Sequence, residues 1–478
     1  METEKNNKKA RARFAPSPTG YLHVGGIRTA LFAWLVARQS RGVFILRLED
    51  TDRNRNVPGS AEHLIKSLRS LGLEYDEGPD IGGPFAPYRQ SERLTKYKEW
   101  AQKLIDNGRA YADPYTAEEV QAFREQAQKD KQPFLYRNHR PENPPTWDGT
   151  KPLRFKSEPK AYSWHDEVMG DLNTGPEVID DLILIKSDGY PTYNFAHICD
   201  DADMEITHII RGQEFIASTP NYLNLYEALG LTPPIMATVP HIMGPDGKKK
   251  LSKRDGAKDV LDYIKDGILP DALVNFIASL GWNDGTEQEI FTRKELIQKF
   301  SLSRVQRSGA KFDEQRLLWV NGQHIRSLSL DDLSQRAQSF WPSESKQATE
   351  DYKRQVLALV QDRLKTLSDL PLLTKYFFAD PTPNWSMIEA NKQLKKLSKD
   401  ELQHLLKATY DKLVTTDFNM DDLTDALNAL LAQTGQKPAI LFSIIRFALT
   451  WAPFSPGLAE TMLVLGKENT LERLHKNT

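Results

Sequence analysis

Apolar residues near the start of the chain follow two different spacings. The run ARARFA is short and compatible with a β-strand, and it ends at the double-proline turn PSPTG. Five apolar residues then recur at helical spacing, namely Ile27, Ala30, Leu31, Trp34 and Leu35. The run VFILRLE follows and has the β-branched composition of a buried parallel strand. This alternation continues to about residue 112 and predicts a parallel sheet with crossover helices.

The pattern changes between residues 113 and 180. Here QAFREQAQKDKQ predicts an exposed helix, PENPPTWDGTKP a loop and LRFK a strand, so we interpret the segment as an insertion. The α/β pattern returns over residues 181–243, where DLILIKS, THIIRG and IMATVPHIM are three apolar, β-rich runs. A helix over about residues 219–229 is predicted between the last two runs.

The second half of the chain is mainly helical in its periodicity. Residues 244–330 contain a glycine- and lysine-rich loop and several helices, one of which is predicted to begin at Pro270. Over residues 331–478 strand signals nearly vanish and helical spacing continues, as in residues 352–367 and 402–413. A chain of 478 residues suggests about three domains. The simplest interpretation of the pattern is an α/β domain, interrupted by an insertion, that is joined to an all-α domain.

Composition narrows the class of protein. The chain has 63 Lys and Arg against 65 Asp and Glu, with 27% charged and 39% hydrophobic residues, which excludes intrinsic disorder and a collagen-like architecture. Because the net charge is only −2, a nucleic-acid partner would have to bind local basic surfaces. The single cysteine, Cys199, excludes an intramolecular disulfide framework and a Cys-based zinc site, and it fits a reducing compartment.

The N-terminus and the hydropathy pattern suggest a location. The sequence METEKNNKKARAR lacks an apolar core, so we read it as neither a signal peptide nor a transit peptide. No uninterrupted apolar run reaches the roughly 18 residues that a membrane span needs. We therefore expect a cytoplasmic protein without a membrane partner.

A glycine-rich block follows the first predicted strand. It reads RFAPSPTGYLHVGG from Arg13 to Gly26 and leads directly into the amphipathic helix. Such a turn lets the backbone approach a phosphate at the positive end of a helix, and His23 can donate a hydrogen bond to phosphate oxygens. Taken alone, HVGG is more often an ordinary strand-to-helix turn with a surface histidine.

Two further blocks carry charge. GPDGKKKLSKRDG, residues 244–256, holds four lysines and an arginine that could neutralise a transferring phosphoryl group, although short basic runs are more often solvated surface. RLEDTDRNR places Glu49 at the end of a strand, where it could hold an ammonium group or belong to a structural salt-bridge cluster. The glycine-rich and lysine-rich blocks both follow strands of one predicted sheet, and such sheets bind ligands at that edge.

These blocks resemble a known family. FAPSPTGYLHVGG resembles the HIGH signature of class I aminoacyl-tRNA synthetases, and KLSKR resembles their KMSKS signature. RLEDTD, KSDGYPTY and IIRGQE resemble the glutamyl-tRNA synthetase branch. LPDALVNFIASLGW extends the resemblance, and PGLAETMLVLGKE is similar to the helical anticodon domain of the bacterial type. Five ordered motifs of this length are highly specific.

The resemblance implies a fold and a division of the chain. We expect an α/β Rossmann-like catalytic domain split by an α+β insertion, followed by an all-α anticodon-binding domain. The catalytic halves would be residues 1–112 and 181–243, and residues 113–180 would form the insertion that binds the acceptor end of tRNA. Residues 244–330 would carry the KMSKS loop and a linking domain that contacts the tRNA stem, and residues 331–478 would bind the anticodon.

The resemblance also implies a two-step reaction. The α-carboxylate of glutamate attacks the α-phosphorus of ATP to give glutamyl adenylate and pyrophosphate. A ribose hydroxyl at the 3′ end of tRNA(Glu) then takes the acyl group. Mg²⁺ would accompany the ATP. Neither step needs a covalent protein nucleophile, so catalysis consists of positioning and electrostatic stabilisation.

Site residues are carried over position by position from the resemblance. The four implied catalytic residues are His23, Gly25, Lys250 and Lys253. Those implied for ATP are Thr19, His23, Gly25, Glu214, Met243 (through its backbone), Lys250, Ser252, Lys253 and Arg254. Those implied for glutamate are Arg13, Ala15, Ser17, Glu49, Tyr193, His197 and Arg211. Arg13 and Arg211 would hold carboxylates, and Glu49 would hold the ammonium group.

Ordinary structural roles remain open for two of these residues. Arg211 could form a salt bridge that supports the sheet, and Tyr193 could be core packing with a satisfied hydroxyl. If both arginines do face the substrate, they favour glutamate over glutamine, because a desolvated guanidinium facing an amide lacks a charge partner.

Two positions and one segment depart from the family pattern. His197 stands where many members have an asparagine that touches the substrate, and a histidine there is bulkier and able to titrate. The insertion lacks the cysteine cluster that some relatives use for zinc, so zinc is not expected. Trp451 falls where a small residue is common, and either an altered anticodon contact or packing could explain it.

Alternatives within and outside the family can be weighed from the sequence. Glutaminyl-tRNA synthetases share the catalytic signatures but usually end in β-barrels, and the short tRNA-modifying paralogues lack an anticodon domain. A non-catalytic tRNA- or protein-binding relative would not need the signature residues that this chain keeps. The sequence leaves open whether tRNA(Gln) is charged too, since Arg446 is only a weak candidate for anticodon contact. We expect a monomer by default.

Overall fold

The computed structural model describes residues 9–251, 258–452 and 455–478. The chain divides into two compact units. The first comprises Met1–Tyr263 and Pro270–Glu314, and the second comprises Ile264–Leu269 and Gln315–Thr478. Each unit is described by itself below.

The described part of the first unit holds the strands of the protein. In chain order they are β1 Arg11–Phe14, β2 Val43–Leu46, β3 Ala110–Ala112, β4 Leu153–Phe155, β5 Tyr162–Asp166, β6 Gly170–Thr174, β7 Ile183–Ile185, β8 His208–Gly212, β9 Ile235–Val239, β10 Ile242–Met243 and β11 Ala310–Lys311. The helices up to the second unit are α1 Val24–Gln39, α2 Ser60–Ser70, α3 Leu94–Asp106, α4 Ala117–Lys129, α5 Tyr193–Asp203, α6 Thr219–Ala228, α7 Val260–Lys265, α8 Pro270–Ser279 and α9 Arg293–Lys299.

A six-stranded sheet organises the first unit, with the order β2-β1-β8-β9-β5-β6. Strands β2, β1, β8, β9 and β5 pair in parallel, and only the β5–β6 pair within this sheet is antiparallel. The predicted parallel sheet is therefore present. Because β1, β2 and β8 run in the same direction, their carboxyl ends lie at one edge, where the sequence placed the candidate chemistry.

Helix α1 packs against this sheet through the face that the sequence predicted. Its five predicted apolar residues are all buried, and the helix connects β1 to β2, which lie side by side. The helix begins after His23, whose side chain caps it, and ends at Ser40. A buried helix between adjacent parallel strands is the crossover unit expected from the alternating pattern.

The insertion is joined to the sheet differently from the prediction. DLILIKS was grouped with the α/β runs of residues 181–243. Its strand β7 pairs antiparallel with β4, which also pairs with β3, in a separate three-stranded sheet. Conversely, β5 and β6 of the predicted insertion extend the main sheet, since Asp166 pairs with Met236 of β9. Long-range apolar packing decides this, because Leu153, Phe155 and Ile185 share one buried cluster with α5 and α6.

Most other elements lie close to their predicted positions. The helix expected over residues 219–229 is α6, and the helix expected to begin at Pro270 is α8. The run IMATVPHIM forms two strands, β9 and β10, because Pro240 interrupts it and cannot donate a ladder hydrogen bond. The finer division of the first unit at residues 112, 180 and 243 stays a prediction.

The second unit is helical throughout its described part. Its helices are α10 Glu314–Ser327 (from Gln315 onward), α11 Leu330–Ala337, α12 Glu350–Val360, α13 Leu370–Phe378, α14 Ser386–Ala390, α15 Lys399–Val414, α16 Met420–Thr434, α17 Pro438–Thr450, α18 Leu458–Leu465 and α19 Lys467–Lys476. One large apolar cluster joins helices α12 to α19. The unit begins earlier than the expected residue 331 and also includes residues 264–269. Across the described ranges, none of the helices has the length and apolar character to cross a membrane.

Trp451 has a packing role in this unit. It follows α17 in the left-handed conformation, with φ of 41°, and its N–H donates to the carbonyl of Phe447. Its ring is buried against Trp385, with 5.7 Å between the ring centroids. The residue therefore closes a helix and fills the core at the same time.

Asn321 on α10 ties the short segment 264–269 to the rest of the second unit. Its side-chain oxygen accepts a hydrogen bond from the N–H of Leu269 at 2.8 Å. Its amide nitrogen donates to the carbonyls of Lys365 at 2.7 Å and Gly267 at 3.3 Å. The side chain is fully buried, so these three bonds satisfy backbone groups that water cannot reach.

Replacing Asn321 with alanine should therefore destabilise the second unit. Asn321→Ala is expected to lower its free energy of unfolding by about 2–3 kcal/mol, because it leaves buried backbone groups without partners. Urea unfolding of the full chain followed by circular dichroism would measure the change. Asn428→Ala, at an exposed position on α16, is the matched control and should alter it by less than about 0.5 kcal/mol. Equal effects of the two variants would contradict the role of Asn321.

Candidate active site

A cavity of about 520 Å³ lies at the carboxyl edge of the six-stranded sheet. Its walls come from the turn after β1, the first turn of α1, the segment that follows β2, the carboxyl end of β8, and the start of α5. The lining includes most residues predicted for substrates, namely Arg13, Ala15, Ser17, Thr19, His23, Glu49, Tyr193, Arg211 and Glu214. Residues far apart in the sequence thus meet around one space.

The remaining predicted residues lie elsewhere. Gly25, Met243, His197 and Lys250 do not line this cavity. Met243 and exposed Lys250 face each other across an isolated antiparallel bridge, and the Met243 carbonyl accepts from the N–H of Phe312 at 2.9 Å. Ser252, Lys253 and Arg254 fall outside the described residues.

His23 caps the N-terminus of α1. Its Nδ1 accepts a hydrogen bond from the N–H of Gly25 at 3.2 Å. In a neutral imidazole this leaves the proton on Nε2, which becomes a hydrogen-bond donor beside the positive end of the helix. A Cβ at Gly25 would lie 3.2 Å from His23 Cε1, and one at Gly26 would lie 2.7 Å from Leu22 Cδ1. The two glycines therefore leave room for the capping side chain and the turn before it.

A buried charge network forms the floor beneath the cavity. Asp201 on α5 accepts two hydrogen bonds from Arg13, both at 3.2 Å, and one from Arg47 at 2.8 Å. Arg47 also donates to Glu49 at 2.9 Å. All four side chains are buried. The two guanidinium groups hold the pKa of Asp201 far below its usual range despite its burial, whereas burial raises the pKa of Glu49 to about 7.

The network changes the picture of Arg13. The sequence assigned this guanidinium to a substrate carboxylate, but a protein carboxylate already binds it on one side. Asp201 and Arg47 were not among the predicted site residues. The motif RLED did contain Arg47 next to Glu49, so the signal for a paired cation was present there, while nothing local marked Asp201 as its partner.

Arg211 at the end of β8 has a different environment. It is 5% exposed, and no described carboxylate forms an ion pair with it. One terminal nitrogen donates to the hydroxyl of Thr219 at 2.8 Å, while its Nε is buried without a hydrogen-bond partner. The guanidinium lies over the rings of Phe215 and Tyr222, at 5.6 and 5.2 Å from their centroids. Burial lowers the pKa of Arg211, and the salt bridge considered as its ordinary role is absent from the described residues.

His197 lies behind Tyr193, which lines the cavity. It is 1% exposed, and its Nδ1 donates to the carbonyl of Tyr193 at 2.7 Å. Its ring stacks on Tyr193, with 4.8 Å between centroids, and meets Tyr222 edge-on at 4.6 Å. Burial lowers the pKa of His197 to about 3. With this pKa the ring is neutral near neutral pH, and whether His197 contacts the substrate in place of the usual asparagine stays a prediction.

Metal-binding side chains do not cluster in the described part of the chain. In that part, no group of three or more His, Cys, Asp or Glu is arranged to hold a metal ion. Two carboxylates, Glu49 and Glu214, line the cavity, and Glu49 is already bonded to Arg47.

Comparisons with known proteins decide the family. Residues 9–319 match the family model for tRNA synthetases class I (E and Q), catalytic domain. Residues 332–478 match the model of an anticodon binding domain. The chain belongs to the class I glutamyl- and glutaminyl-tRNA synthetase family. As a class I synthetase it uses ATP to join an amino acid to tRNA.

Individual relatives of this synthetase are of the glutamate type. A glutamate–tRNA ligase of Dehalococcoides mccartyi is 41% identical over 98% of this chain and 97% of its own length. A glutamate–tRNA ligase of Clostridium tetani is 39% identical over 98% and 97% of the two chains. A crystal structure of a glutamate tRNA ligase from Elizabethkingia meningosepticum in complex with its amino acid superposes with a TM-score of 0.88, at 32% identity, over 98% and 99% of the chains. The fold class, enzyme class and glutamate–tRNA ligase function expected from the sequence are confirmed.

The neutral, buried state of His197 leads to a testable pH dependence. Its pKa is about 3 in the folded protein and near 6.5 when unfolded, so between these values the unfolded chain binds the extra proton. The stabilising contribution is present above pH 6.5 and is lost as the pH falls. We expect the unfolding free energy of the native chain to fall by up to about 1.4 kcal/mol per pH unit more than that of His197→Asn.

Unfolding measured at pH 7, 6, 5 and 4 for both proteins would test this slope. Other titrating groups are common to both proteins, so their difference isolates His197. Parallel pH profiles for the two proteins would contradict the prediction, because they would mean that the pKa of His197 is the same in the folded and unfolded chains.

Proposed function

We propose that the cavity is where this glutamate–tRNA ligase activates L-glutamate with ATP before transfer to the 3′ end of tRNA(Glu). The observation that carries the proposal is the environment of Arg211. A buried guanidinium without an acidic partner is costly, and it lines a cavity of suitable size. The side-chain carboxylate of glutamate would supply the missing charge with a planar, bidentate match.

Other lining residues suit the remaining groups of glutamate. With a pKa of about 7, Glu49 can be ionised and bind the ammonium group of the substrate. Its hydrogen bond from Arg47 orients the carboxylate. Ser17 and Tyr193 can add hydrogen bonds, and Ala15 borders the same wall. Arg13 keeps one face toward the cavity while Asp201 fixes its other side, so it would meet the substrate as a held cation.

The nucleotide would occupy the end of the cavity near α1. His23 Nε2 can donate to phosphate oxygens, and Gly25 leaves the helix terminus open to them. Thr19 and Glu214 line the same end. We assign the rest of the ATP contacts to the backbone of Met243, to Lys250, and to three residues outside the described ranges, Ser252, Lys253 and Arg254.

The geometry suits a reaction without a protein nucleophile. The glutamate α-carboxylate attacks the α-phosphorus of ATP, and pyrophosphate leaves. A ribose hydroxyl of tRNA then attacks the carbonyl carbon of glutamyl adenylate, forms the ester bond and releases AMP. The chain positions the two reacting groups and places cations and the helix terminus where negative charge develops. We treat Mg²⁺ as part of the ATP substrate, because it is usually bound by phosphates and one or two carboxylates, and Glu214 is available at the nucleotide end. We propose no zinc.

Further aspects of the function are proposals as well. We assign tRNA recognition to the helical second unit, where Arg446 donates to the hydroxyl of Ser455 at 2.8 Å. Burial and the neighbouring charge of Arg363 lower the pKa of Arg446, so an RNA phosphate there would offset the like-charge repulsion. We place the reaction in the cytoplasm with a monomeric enzyme, and charging of tRNA(Gln) is the alternative to be tested.

Attachment of labelled glutamate by the purified chain tests the function directly. The assay runs separately on tRNA(Glu) and tRNA(Gln) transcripts with ATP and Mg²⁺. Charging of tRNA(Glu) alone is the expected result. Charging of both transcripts would mean a non-discriminating synthetase, and charging of neither would overturn the proposed function in favour of a non-catalytic relative.

The role of Arg211 predicts a loss of discrimination between two amino acids. Arg211→Ala is expected to reduce the ratio of kcat/KM for glutamate over glutamine by roughly 100-fold, because the charge partner of the substrate carboxylate is gone. Pyrophosphate exchange with tRNA present measures both substrates, and the KM for ATP should stay near its original value.

Lys98→Ala, which removes an exposed cation on α3, is the matched control and should leave the ratio unchanged. If the kcat/KM ratio of glutamate over glutamine stays the same in Arg211→Ala, Arg13 or another group must select the substrate instead.

A further inference from the structure

His63 on α2 and Asp259, just before α7, form a polar contact that the proposed chemistry does not use. His63 Nε2 lies 3.2 Å from Asp259 Oδ1. The side chains are 18% and 13% exposed, so the pair is largely shielded from water. It joins two segments that are almost two hundred residues apart in the sequence, and it lies beside the start of α1.

Asp259 has three roles at this point. Its Oδ1 also accepts from the N–H of Leu261 at 2.8 Å, which caps α7. Its backbone forms an isolated antiparallel bridge with His23. Its Oδ2 is buried and has no hydrogen-bond partner, so the N–H of Leu261 and the imidazole of His63, both at Oδ1, are the described groups that compensate for burying this carboxylate. A change at His63 would therefore be felt at the segment paired with His23.

His63 reaches His23 by a second route through Tyr21. The rings of Tyr21 and His63 lie 4.3 Å apart at 33°. Tyr21 lines the cavity two residues before His23, although its side chain is 53% exposed. The other ring nitrogen, Nδ1, lies 3.4 Å from the hydroxyl of Ser67, one turn further along α2. Both nitrogens of His63 thus lie near side-chain oxygens, those of Asp259 and Ser67.

We propose that His63 is a positioning residue for the nucleotide end of the cavity. It supports Tyr21 on one side and Asp259 on the other, and His23 lies between these two contacts. The exposed imidazole of His23 and the first N–H groups of α1 thereby keep one orientation toward the phosphates. This role rests on the proposed binding of ATP beside His23. Holding a site on rigid neighbours in this way is what limits misplacement of reacting groups.

The test is a split between the KM values of the two small substrates. Pyrophosphate exchange with tRNA, glutamate and MgATP is measured for His63→Ala in the full chain. We expect the KM for ATP to rise about fivefold while the KM for glutamate changes less than about twofold. His63→Gln can still donate to Asp259 and should restore most of the ATP affinity.

Asp259→Ser completes a double-mutant cycle. Serine can still cap α7 but lacks the charge and reach to pair with His63. It should raise the KM for ATP to a similar extent, and the double variant His63→Ala with Asp259→Ser should be no worse than either single variant. Additive effects of the two substitutions would overturn the proposed coupling.

Controls separate this role from general destabilisation. Lys66→Ala changes an exposed residue on the same helix and should leave both KM values unchanged. Thermal unfolding identifies variants that have lost structure. An unchanged KM for ATP in folded His63→Ala, or equal increases for ATP and glutamate, would overturn the proposal. Failure of the proposed function would look different, because the unsubstituted chain would then show no exchange.

Discussion

The site depends on one buried carboxylate. Asp201 on α5 binds Arg13 of β1 and Arg47, the residue after β2, and so joins two neighbouring strands to a helix from a distant part of the chain. Three charges that would each be costly alone stabilise one another in the interior. Removing the carboxylate would leave Arg13 without its ion-pair partner, next to the cation of Arg47. The floor of the cavity is therefore an electrostatic unit, and the positions of Arg13 and Glu49 follow from it.

The two arginines that line the cavity differ in their charge partners. Arg13 is satisfied by the protein, whereas Arg211 is held by Thr219 and by two aromatic rings that offer no formal charge. Aromatic faces orient a guanidinium without neutralising it, so its charge remains available to a ligand. Tyr193, His197 and Tyr222 pack around this end as neutral rings. The side-chain carboxylate of a bound glutamate would give Arg211 the anionic partner that the described residues do not provide.

Sequence patterns predicted the local parts of this structure and missed the long-range ones. Helix α1 and strands β1 and β2 follow from spacing within about forty residues, where periodicity is informative. Asp201 was missed because 188 positions separate it from Arg13, and no local pattern marks such a pair. For the same reason the grouping of β7 with the α/β runs did not reveal its sheet: its partner is decided by shared burial with Leu153 and Phe155. The neutral state of His197 depends on complete burial, which one residue in a sequence does not reveal.

The second compact unit is not a continuous stretch of chain. Its piece 264–269 comes between two parts of the first unit, and there the Gly267 carbonyl accepts from the N–H of Leu367 at 3.0 Å. A fragment that starts at Gln315 would contain every helix from α11 to α19 yet would lack the backbone that Asn321 and Leu367 bind. No single cut separates the two units, so an exchange of the helical part between relatives must transfer two segments together. If the helical unit was once added to the C-terminus by gene fusion, residues 264–269 of the first part of the chain must have become part of it as well.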